Sequence, residues 1–237
     1  YRMPRRYAAR FIKISVLYTP REITLSDFHF TAVTSADKRN LRSFDIADEE
    51  LRAIDAVSVN TLKNCMHRVF EDGPKRDRRL WIGDLRLEAL TNYYTYQQTD
   101  IVRRCLYLFA AADCNDTGFL PGYIYENPKF VSGYWFLYDY ALLFVTTLCD
   151  YYQHTGDAET FLDIYPVVQK QMDAAKKITD ENGILSLFNK RDVFIDWNDA
   201  REKTVSLNGV YLYTLDRLSQ ALSKLNHKDA PIYQSRY

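Results

Sequence analysis

The sequence predicts a mainly α-helical fold made of successive helical hairpins. From about residue 45 onward, apolar residues recur at intervals of three and four, and polar turn sequences separate these periodic stretches. The preceding stretch, residues 7–33, is β-rich instead. The chain has 237 residues, of which 47% are hydrophobic, so it is long and apolar enough to bury a full core.

The β-rich stretch contains two runs, residues 11–17 and 28–33, and a turn that carries Pro20 lies between them. Two strands alone are at best marginally stable, because a sheet needs further strands or a helix to cover its apolar face. We therefore expect both runs to be the final strands of a β-domain that begins before this chain.

The first helix is expected to follow the acidic segment 45–50. One apolar stripe marks it: Leu51, Ile54, Val57, Thr61, Leu62, Cys65 and Val69. Apolar periodicity predicts further helices over residues 85–97, 100–112, 134–153 and 205–225.

One more helical segment is predicted to open at Gly156 and Asp157. Pro166 is expected to divide it into a short helix and a longer one that ends near Ile178, because proline is tolerated in a first helical turn. Residues 184–197 contain two short extended runs. No repeat of about 34 or about 40 residues is present, which argues against arrays of short helical repeats. Composition alone does not decide between a closed toroid and a solenoid.

Charge and composition exclude several classes of function. Lys and Arg together number 31, as do Asp and Glu, so the chain lacks the basic excess of proteins that bind nucleic acid or a membrane surface. No apolar run reaches the roughly 18–20 residues of a membrane helix. The 19 Tyr, 13 Phe and 3 Trp residues are an excess of aromatics. Such side chains suit a pocket for an amphipathic ligand, for example a sugar ring.

No metal or cofactor site is predicted. The four histidines are scattered, and no glycine-rich phosphate loop is present. The cysteines form no closely spaced pair, so we expect buried free thiols and not a zinc site: Cys65, Cys105, Cys114 and Cys149.

The most informative stretch is the loop sequence EDGPKRDRRLWIGD, residues 71–84. Its carboxylates Asp72, Asp77 and Asp84 alternate with basic side chains, and Trp81 follows. Hydrolysis of a glycosidic bond needs one carboxylic acid to protonate the leaving oxygen and a second carboxylate to activate water or attack. It also needs polar groups that hold the sugar hydroxyls in position. This loop can supply the proton donor and the polar groups.

Each of these residues also has a purely structural interpretation. Asp84 directly precedes a predicted helix and can cap it. Asp72 precedes Gly-Pro, a common turn sequence. Asp77 can belong to a solvated charge cluster, and Trp81 can be part of the core. From spacing alone these alternatives remain open.

The loop resembles the signature of the bacterial α-L-rhamnosidases, inverting glycoside hydrolases of the six-hairpin class. That signature has an acidic residue, Cys-Pro, Arg-Glu and then Gly-Trp-Thr-Gly-Asp. Several positions agree in type and spacing: Asp72, Pro74, Arg76, Trp81, Gly83 and Asp84. Gly73 replaces the usual Cys, and Asp77 occupies the position of the general acid, which is Glu in the family. The shorter Asp side chain moves the carboxyl by about 1.5 Å, the length of one C–C bond.

The resemblance extends from about residue 7 to the end. It implies a partial (α/α)6 toroid preceded by the last strands of a β-sandwich, with residues 1–36 in the sandwich and 37–237 in the N-terminal portion of the toroid. The family's general base is a Glu in a later hairpin, which we expect beyond residue 237.

The resemblance also implies a set of site residues. Asp77 is the expected general acid, and Arg76 and Arg78 flank it, so we expect their charges to oppose the protonated form that a donor needs. Trp135 is expected to open the long helix, and Asp196 and Trp197 belong to a later Asp-Trp loop. The expected substrate-binding residues are Asp72, Arg76, Trp81, Asp84, Trp135, Asp196 and Trp197.

The implied function is inverting hydrolysis of terminal α-L-rhamnosides, with the two carboxyl groups about 6.5–9.5 Å apart. The expected ligand is a rhamnose-containing oligosaccharide or glycoside; no cofactor, metal, nucleic acid or membrane is expected to take part. Assembly into a homo-oligomer is left open, as is the choice between cytoplasm and periplasm of a bacterium. Two alternatives stay open: a glycosidase of the same fold that acts on another sugar, and a non-catalytic carbohydrate-binding module.

Overall fold

The computed structural model describes residue 3 and residues 6–126, 129–187, 189–195, 198 and 200–237. The α-helices of these residues are α1 (Glu49–Cys65), α2 (Ile82–Tyr94), α3 (Thr99–Ala110), α4 (Tyr138–Thr155), α5 (Ala158–Lys177), α6 (Thr204–Lys224) and α7 (Ala230–Gln234). The β-strands are β1 (Leu80–Trp81), β2 (Tyr123–Tyr125) and β3 (Val131–Ser132).

Two of the described helices, α1 and α5, begin at aspartate caps. The Asp48 carboxylate accepts a hydrogen bond from the Leu51 backbone N–H at 2.9 Å, and α1 begins there. The Asp157 carboxylate accepts one from the Thr160 N–H at 3.0 Å at the start of α5. Each cap satisfies a backbone donor that has no partner within the helix.

The helices are arranged as hairpins in two layers. Consecutive helices pack in pairs, α2 with α3, α4 with α5 and α6 with α7. Alternate helices also contact each other: α4 packs between α2 and α6, while α3 packs against α5. This alternation confirms the predicted partial toroid of helical hairpins.

Helix α4 lies at the centre of the core, in contact with α2, α3, α5 and α6. Its sequence predicts one apolar stripe, which includes Phe144 and Leu148. In the structure the opposite side is buried as well, including Leu142 and Thr146. A helix that is covered on nearly all sides belongs to the inner layer of such an arrangement.

Strands β1, β2 and β3 form a small antiparallel sheet in that order, with Leu80 opposite Ile124 and Ile124 opposite Ser132. The sheet joins the loop before α2 to the segment before α4. It therefore fixes these two distant parts of the sequence beside each other.

The expectation that Pro166 divides the fifth helical segment is wrong, because α5 is continuous from Ala158 to Lys177. Phe161, Tyr165 and Val168 are buried on both sides of the proline. Pro166 itself is exposed, and so is Leu162, whose carbonyl loses its helical partner. Packing of the buried face and solvation of that carbonyl together offset the roughly 3 kcal/mol that an internal proline costs.

The beginning of the chain differs from the sequence prediction. Residues 6–37 contain no strand, and apolar side chains such as Phe11 and Leu17 are 82% and 96% exposed. A strand requires a hydrogen-bonded neighbour, and none is formed here among the residues described. The assignment of residues 1–36 to a preceding β-sandwich stays a prediction.

The apolar stripe of α1 is only partly buried. Leu62 is covered by the core, whereas Leu51, Ile54 and Val57 are each more than half exposed. The helix ends at Cys65, so Val69, which the stripe was expected to include, lies beyond it and is buried separately. Apolar spacing thus predicted this helix without indicating what covers it.

The cysteines are free thiols, as expected, but only Cys105 and Cys149 are buried, while Cys65 and Cys114 are partly exposed. None of the described helices combines the length and the apolar character needed to cross a membrane. In the same residues, no three His, Cys, Asp or Glu side chains converge as metal ligands.

Candidate active site

The sequence 72–84, here called the acid loop, is closed by its own backbone. The Asp72 N–H donates to the Arg79 carbonyl at 2.8 Å, and the carbonyl of Gly73 accepts from the Arg76 N–H at 2.7 Å. Gly73 has a φ of +58°, and a Cβ atom there would lie 2.8 Å from the Arg76 Nε. Glycine in place of the family's Cys therefore fits the backbone that this loop adopts.

Asp77 lies between two guanidinium groups. Its Oδ2 is 3.4 Å from the Arg79 Nε, and its Oδ1 is 3.9 Å from the Arg76 Nε. The side chain is 21% exposed. Its Oδ1 is buried and has no hydrogen-bond partner among the described residues.

Arg78 flanks Asp77 in the sequence but forms no ion pair with it among the described residues. Arg78 has a φ of +56°, and its Nε donates to the Pro74 carbonyl at 3.0 Å. A residue in the left-handed region reverses the local direction of the chain. Besides Arg76, the second cation next to Asp77 is therefore supplied one residue later, by Arg79.

Two of the predicted substrate-binding residues pair with each other, since the Arg76 guanidinium donates to Asp72 Oδ2. The Arg76 side chain is 66% exposed and that of Asp72 is 27% exposed. Both groups can therefore be reached from solvent at the mouth of the acid loop.

Asp84 does not cap α2, so the interpretation of this residue as a helix cap is wrong. The helix begins at Ile82 with Trp81 in the cap position, so Asp84 lies within the first turn. Its Oδ2 accepts from the Tyr140 hydroxyl at 3.4 Å. Burial raises the pKa of the Asp84 carboxyl, and the negative charge of Asp72 acts in the same direction.

Gly83 allows α2 to approach α4. A Cβ atom at this position would lie 2.6 Å from ring atoms of Tyr140, closer than packed atoms can come. The signature Gly83-Asp84 therefore fits a close contact: glycine admits the Tyr140 ring, and the next residue receives its hydroxyl.

Trp81 and Trp135 are brought together, with ring centroids 6.2 Å apart in an edge-to-face arrangement. Tyr123 and Tyr140 complete this aromatic cluster, at 4.6 Å and 6.1 Å from the Trp81 ring. The Trp81 Nε1 is buried without a hydrogen-bond partner in the described structure. Trp135 was expected to open the long helix, but α4 begins later, at Tyr138.

Asp196 and Trp197 lie outside the described residues. The segment just before them, residues 189–195, is attached to the start of α4. The Asp139 carboxylate accepts hydrogen bonds from the backbone N–H groups of Phe194 and Ile195, each at 3.1 Å. The Trp135 Nε1 also donates to the Arg191 carbonyl at 3.3 Å.

Sequence reasoning missed several residues that shape this site. Arg79 gave no separate signal within a run of basic residues, and Asp139 gave none within an apolar helix. Glu88 lies one helical turn after Asp84. Burial raises the pKa of Glu88 to about 8, and the charge of Asp84 adds to this effect.

Three of the solved structures that resemble the chain are rhamnosidases. The rhamnosidase from Klebsiella oxytoca with rhamnose bound is 40% identical, with a TM-score of 0.78, and the match covers 83% of this chain and 38% of that chain. The GH78 family rhamnosidase of Bacillus sp. GL1 is 24% identical, with a TM-score of 0.73 and coverages of 83% and 20%. The α-L-rhamnosidase from Dictyoglomus thermophilum is 18% identical, with a TM-score of 0.69 and coverages of 80% and 21%.

At their lower identities, the Bacillus and Dictyoglomus proteins show a shared fold alone. The chain spans 38% of the length of the Klebsiella protein and about a fifth of the other two. No curated protein sequence matches the chain. The family model described as the bacterial alpha-L-rhamnosidase 6 hairpin glycosidase domain matches residues 39–237, which is most of the chain. The chain therefore belongs to the bacterial α-L-rhamnosidase family of six-hairpin glycosidases.

Proposed function

We propose that the protein hydrolyses terminal α-L-rhamnosides with inversion and that Asp77 is its general acid. Family membership and 40% identity to a rhamnosidase with rhamnose bound support this substrate. A rhamnose-containing oligosaccharide or glycoside is the proposed ligand.

The observation that carries the proposal is a pair of buried polar atoms with no partner among the residues described, Asp77 Oδ1 and Trp81 Nε1. Buried polar groups are nearly always hydrogen-bonded, so two orphans in one loop indicate that something else completes them. Arg79 links the two residues, because its guanidinium faces both the Asp77 carboxylate and the Trp81 ring. A bound sugar brings hydroxyl and glycosidic oxygens that can take both places.

In the proposed reaction, Asp77 donates a proton to the glycosidic oxygen as the bond from that oxygen to the sugar's anomeric carbon breaks. Water attacks the anomeric carbon from the opposite face, and a second carboxylate removes the proton of that water. No described residue is assigned this second role. Asp77 ends this step as a carboxylate and must regain a proton before the next turnover.

The remaining residues are proposed to bind the sugar. Asp72, Arg76 and Asp84 offer donors and acceptors for the ring hydroxyls, and Trp81 and Trp135 form an apolar wall. Asp196 and Trp197, which lie outside the described residues, are proposed to bind the sugar as well.

The proposal is tested with the full-length protein and phenyl α-L-rhamnoside, whose leaving oxygen needs a proton. Asp77→Asn keeps the shape of the side chain and removes the proton donor, so we expect kcat to fall by about 10²–10⁴-fold. Asp77→Glu is the matched control, since it keeps the acid and moves it by about 1.5 Å, for which we expect a loss of about a hundredfold or less.

Unchanged turnover in Asp77→Asn would show that another group is the acid. A panel of other aryl glycosides separates the rhamnosidase from a glycosidase of the same fold that acts on a different sugar. Tight binding of rhamnose without cleavage of any glycoside would instead identify a carbohydrate-binding module.

A further inference from the structure

We propose that Arg79 is a positioning residue for Asp77: its guanidinium, fixed by a tyrosine cage, faces one carboxyl oxygen and leaves the other directed to the glycosidic oxygen. This inference rests on the proposed function, and it assigns Arg79 a role in the reaction without contact to the substrate.

The cage follows from the sheet. In a strand, residues two apart lie on the same face, so Arg79 and Trp81 share a face, as do Tyr123 and Tyr125. Trp81 is paired with Tyr123, and Leu80 with Ile124. Continuing this register by one residue before β1 places Arg79 opposite Tyr125. The pairing of β1 with β2 therefore brings the cation next to its cage.

The contacts match this register. The Arg79 Nε donates to the Tyr125 hydroxyl at 2.5 Å. Its guanidinium carbon lies 4.3 Å from the Tyr123 ring centroid, 5.2 Å from that of Tyr125 and 5.7 Å from the Trp81 ring. A planar guanidinium stacks on aromatic faces, which a lysine ammonium does not do. Arg79 therefore has little freedom to rotate.

The same residue holds the acid loop in two ways. Its carbonyl accepts the Asp72 N–H at 2.8 Å, which closes the loop. Its Nε lies 3.4 Å from Asp77 Oδ2, and because the Nε hydrogen is directed to Tyr125, the attraction to Asp77 is that of a charge and not of a hydrogen bond. Arg79 can therefore orient the carboxyl without occupying its hydrogen-bonding positions.

The other neighbouring cation fixes Asp77 less firmly. The Arg76 side chain is 66% exposed, against 24% for Arg79, and its guanidinium already bonds to Asp72. Solvent screens an exposed pair and leaves its side chains mobile. Arg79 is consequently the cation that sets the orientation of Asp77.

The experiment compares two leaving groups in the full-length protein. An alkyl rhamnoside needs protonation of its leaving oxygen. A dinitrophenyl rhamnoside does not, because dinitrophenolate departs without a proton. Arg79→Lys keeps the charge and loses the stacked plane, so we expect kcat to fall between about tenfold and a hundredfold on the alkyl substrate. On the dinitrophenyl substrate we expect less than about threefold, with KM little changed on both; Tyr125→Phe should give the same split at smaller size.

Arg236 provides a matched control. Its Nη2 donates to the Tyr211 hydroxyl at 2.6 Å, and its guanidinium carbon lies 5.6 Å from the Tyr233 ring, far along the chain from the acid loop. Arg236→Lys therefore loses the same kind of caged contact. We expect this variant to keep the activity of the unsubstituted protein on both substrates.

Two results would overturn the role of Arg79. One is equal loss on both leaving groups in Arg79→Lys and Tyr125→Phe, which is the pattern of general disruption. The other is unchanged hydrolysis of the alkyl substrate by both variants. Failure of the unsubstituted protein to cleave either rhamnoside would refute the proposed function itself, and the role of Arg79 with it.

Discussion

Two regions of the molecule each bury a carboxyl group, and they differ in the hydrogen-bond partners that they give it. At the start of α4, Asp139 accepts hydrogen bonds from two backbone N–H groups of the 189–195 segment. In α2, the Glu88 Oε2 is buried and has no hydrogen-bond partner among the described residues. Burial raises the pKa of both carboxyls, but at Asp139 the backbone hydrogen bonds oppose the shift.

The difference shows that hydrogen-bond donors and nearby charges decide whether a buried carboxyl is charged or protonated. Asp139 has donors that favour its charged form, so it can fasten one segment of the chain to another. Glu88 faces the negative charge of Asp84, and with a pKa of about 8 it is mostly protonated at neutral pH. The Asp139 carboxylate stabilises the contact between the 189–195 segment and α4, whereas ionisation of Glu88 lowers the free energy of unfolding.

Removal of Asp139 should have the largest effect on stability. Asp139→Ala leaves the Phe194 and Ile195 N–H groups without their acceptor, and each buried donor left unpaired costs about 1–3 kcal/mol. We expect the opening free energy of these two amides to fall by about 2–4 kcal/mol, as measured by hydrogen exchange.

Asp139→Asn is the control, because its carbonyl oxygen can still accept one bond, and we expect a smaller loss. Unchanged protection of both amides in Asp139→Ala would show that other contacts hold the 189–195 segment.

Removal of the Glu88 carboxyl should stabilise the protein, whereas removal of the Asp139 carboxyl should destabilise it. Between its ordinary pKa of 4.5 and its raised value of about 8, the folded protein binds more protons than the unfolded chain, so stability falls as pH rises through this window. Glu88→Gln cannot ionise and should lose this dependence. Relative to the unsubstituted protein it should gain up to about 1.4 kcal/mol per pH unit, seen in melting temperatures at about pH 5 and about pH 8. The same pH dependence in both proteins would contradict the account of Glu88.

Tyr140 joins the two regions, and its hydroxyl should have the smallest effect. It donates to Asp84 at 3.4 Å, and its ring lies 5.7 Å from that of Phe194. Tyr140→Phe keeps the ring packing and removes a long hydrogen bond, so we expect a loss of about 1 kcal/mol or less in the free energy of unfolding. A larger loss would indicate that the hydroxyl couples the two regions more tightly than its distance implies.

Sequence patterns predicted the helical fold because periodicity and caps are local. The prediction failed at Pro166, where packing of residues on both sides of the proline outweighs the local penalty. It also failed for the strands expected near residues 11–17 and 28–33, since β-rich residues form a strand only beside a pairing partner.

In the candidate site, too, the local features could be predicted from the sequence and the long-range contacts could not. The spacing of Asp72, Asp77 and Asp84 could be found in the sequence because one short loop carries it. The choice of Arg79 over Arg78 depends on a left-handed residue and on pairing with a strand more than 40 positions away. Asp139 reaches its partners 55 and 56 positions along the chain, which no local pattern reveals.

The central claim is that the side chain of residue 77 faces the glycosidic oxygen. The most direct test is a crystal structure of the full-length Asp77→Asn variant with an uncleaved α-L-rhamnoside bound. We expect a side-chain atom of residue 77 within about 3.2 Å of the glycosidic oxygen, directly or through one water, with Arg79 on its other edge. A rhamnoside bound with its glycosidic oxygen out of reach of residue 77 would contradict the account.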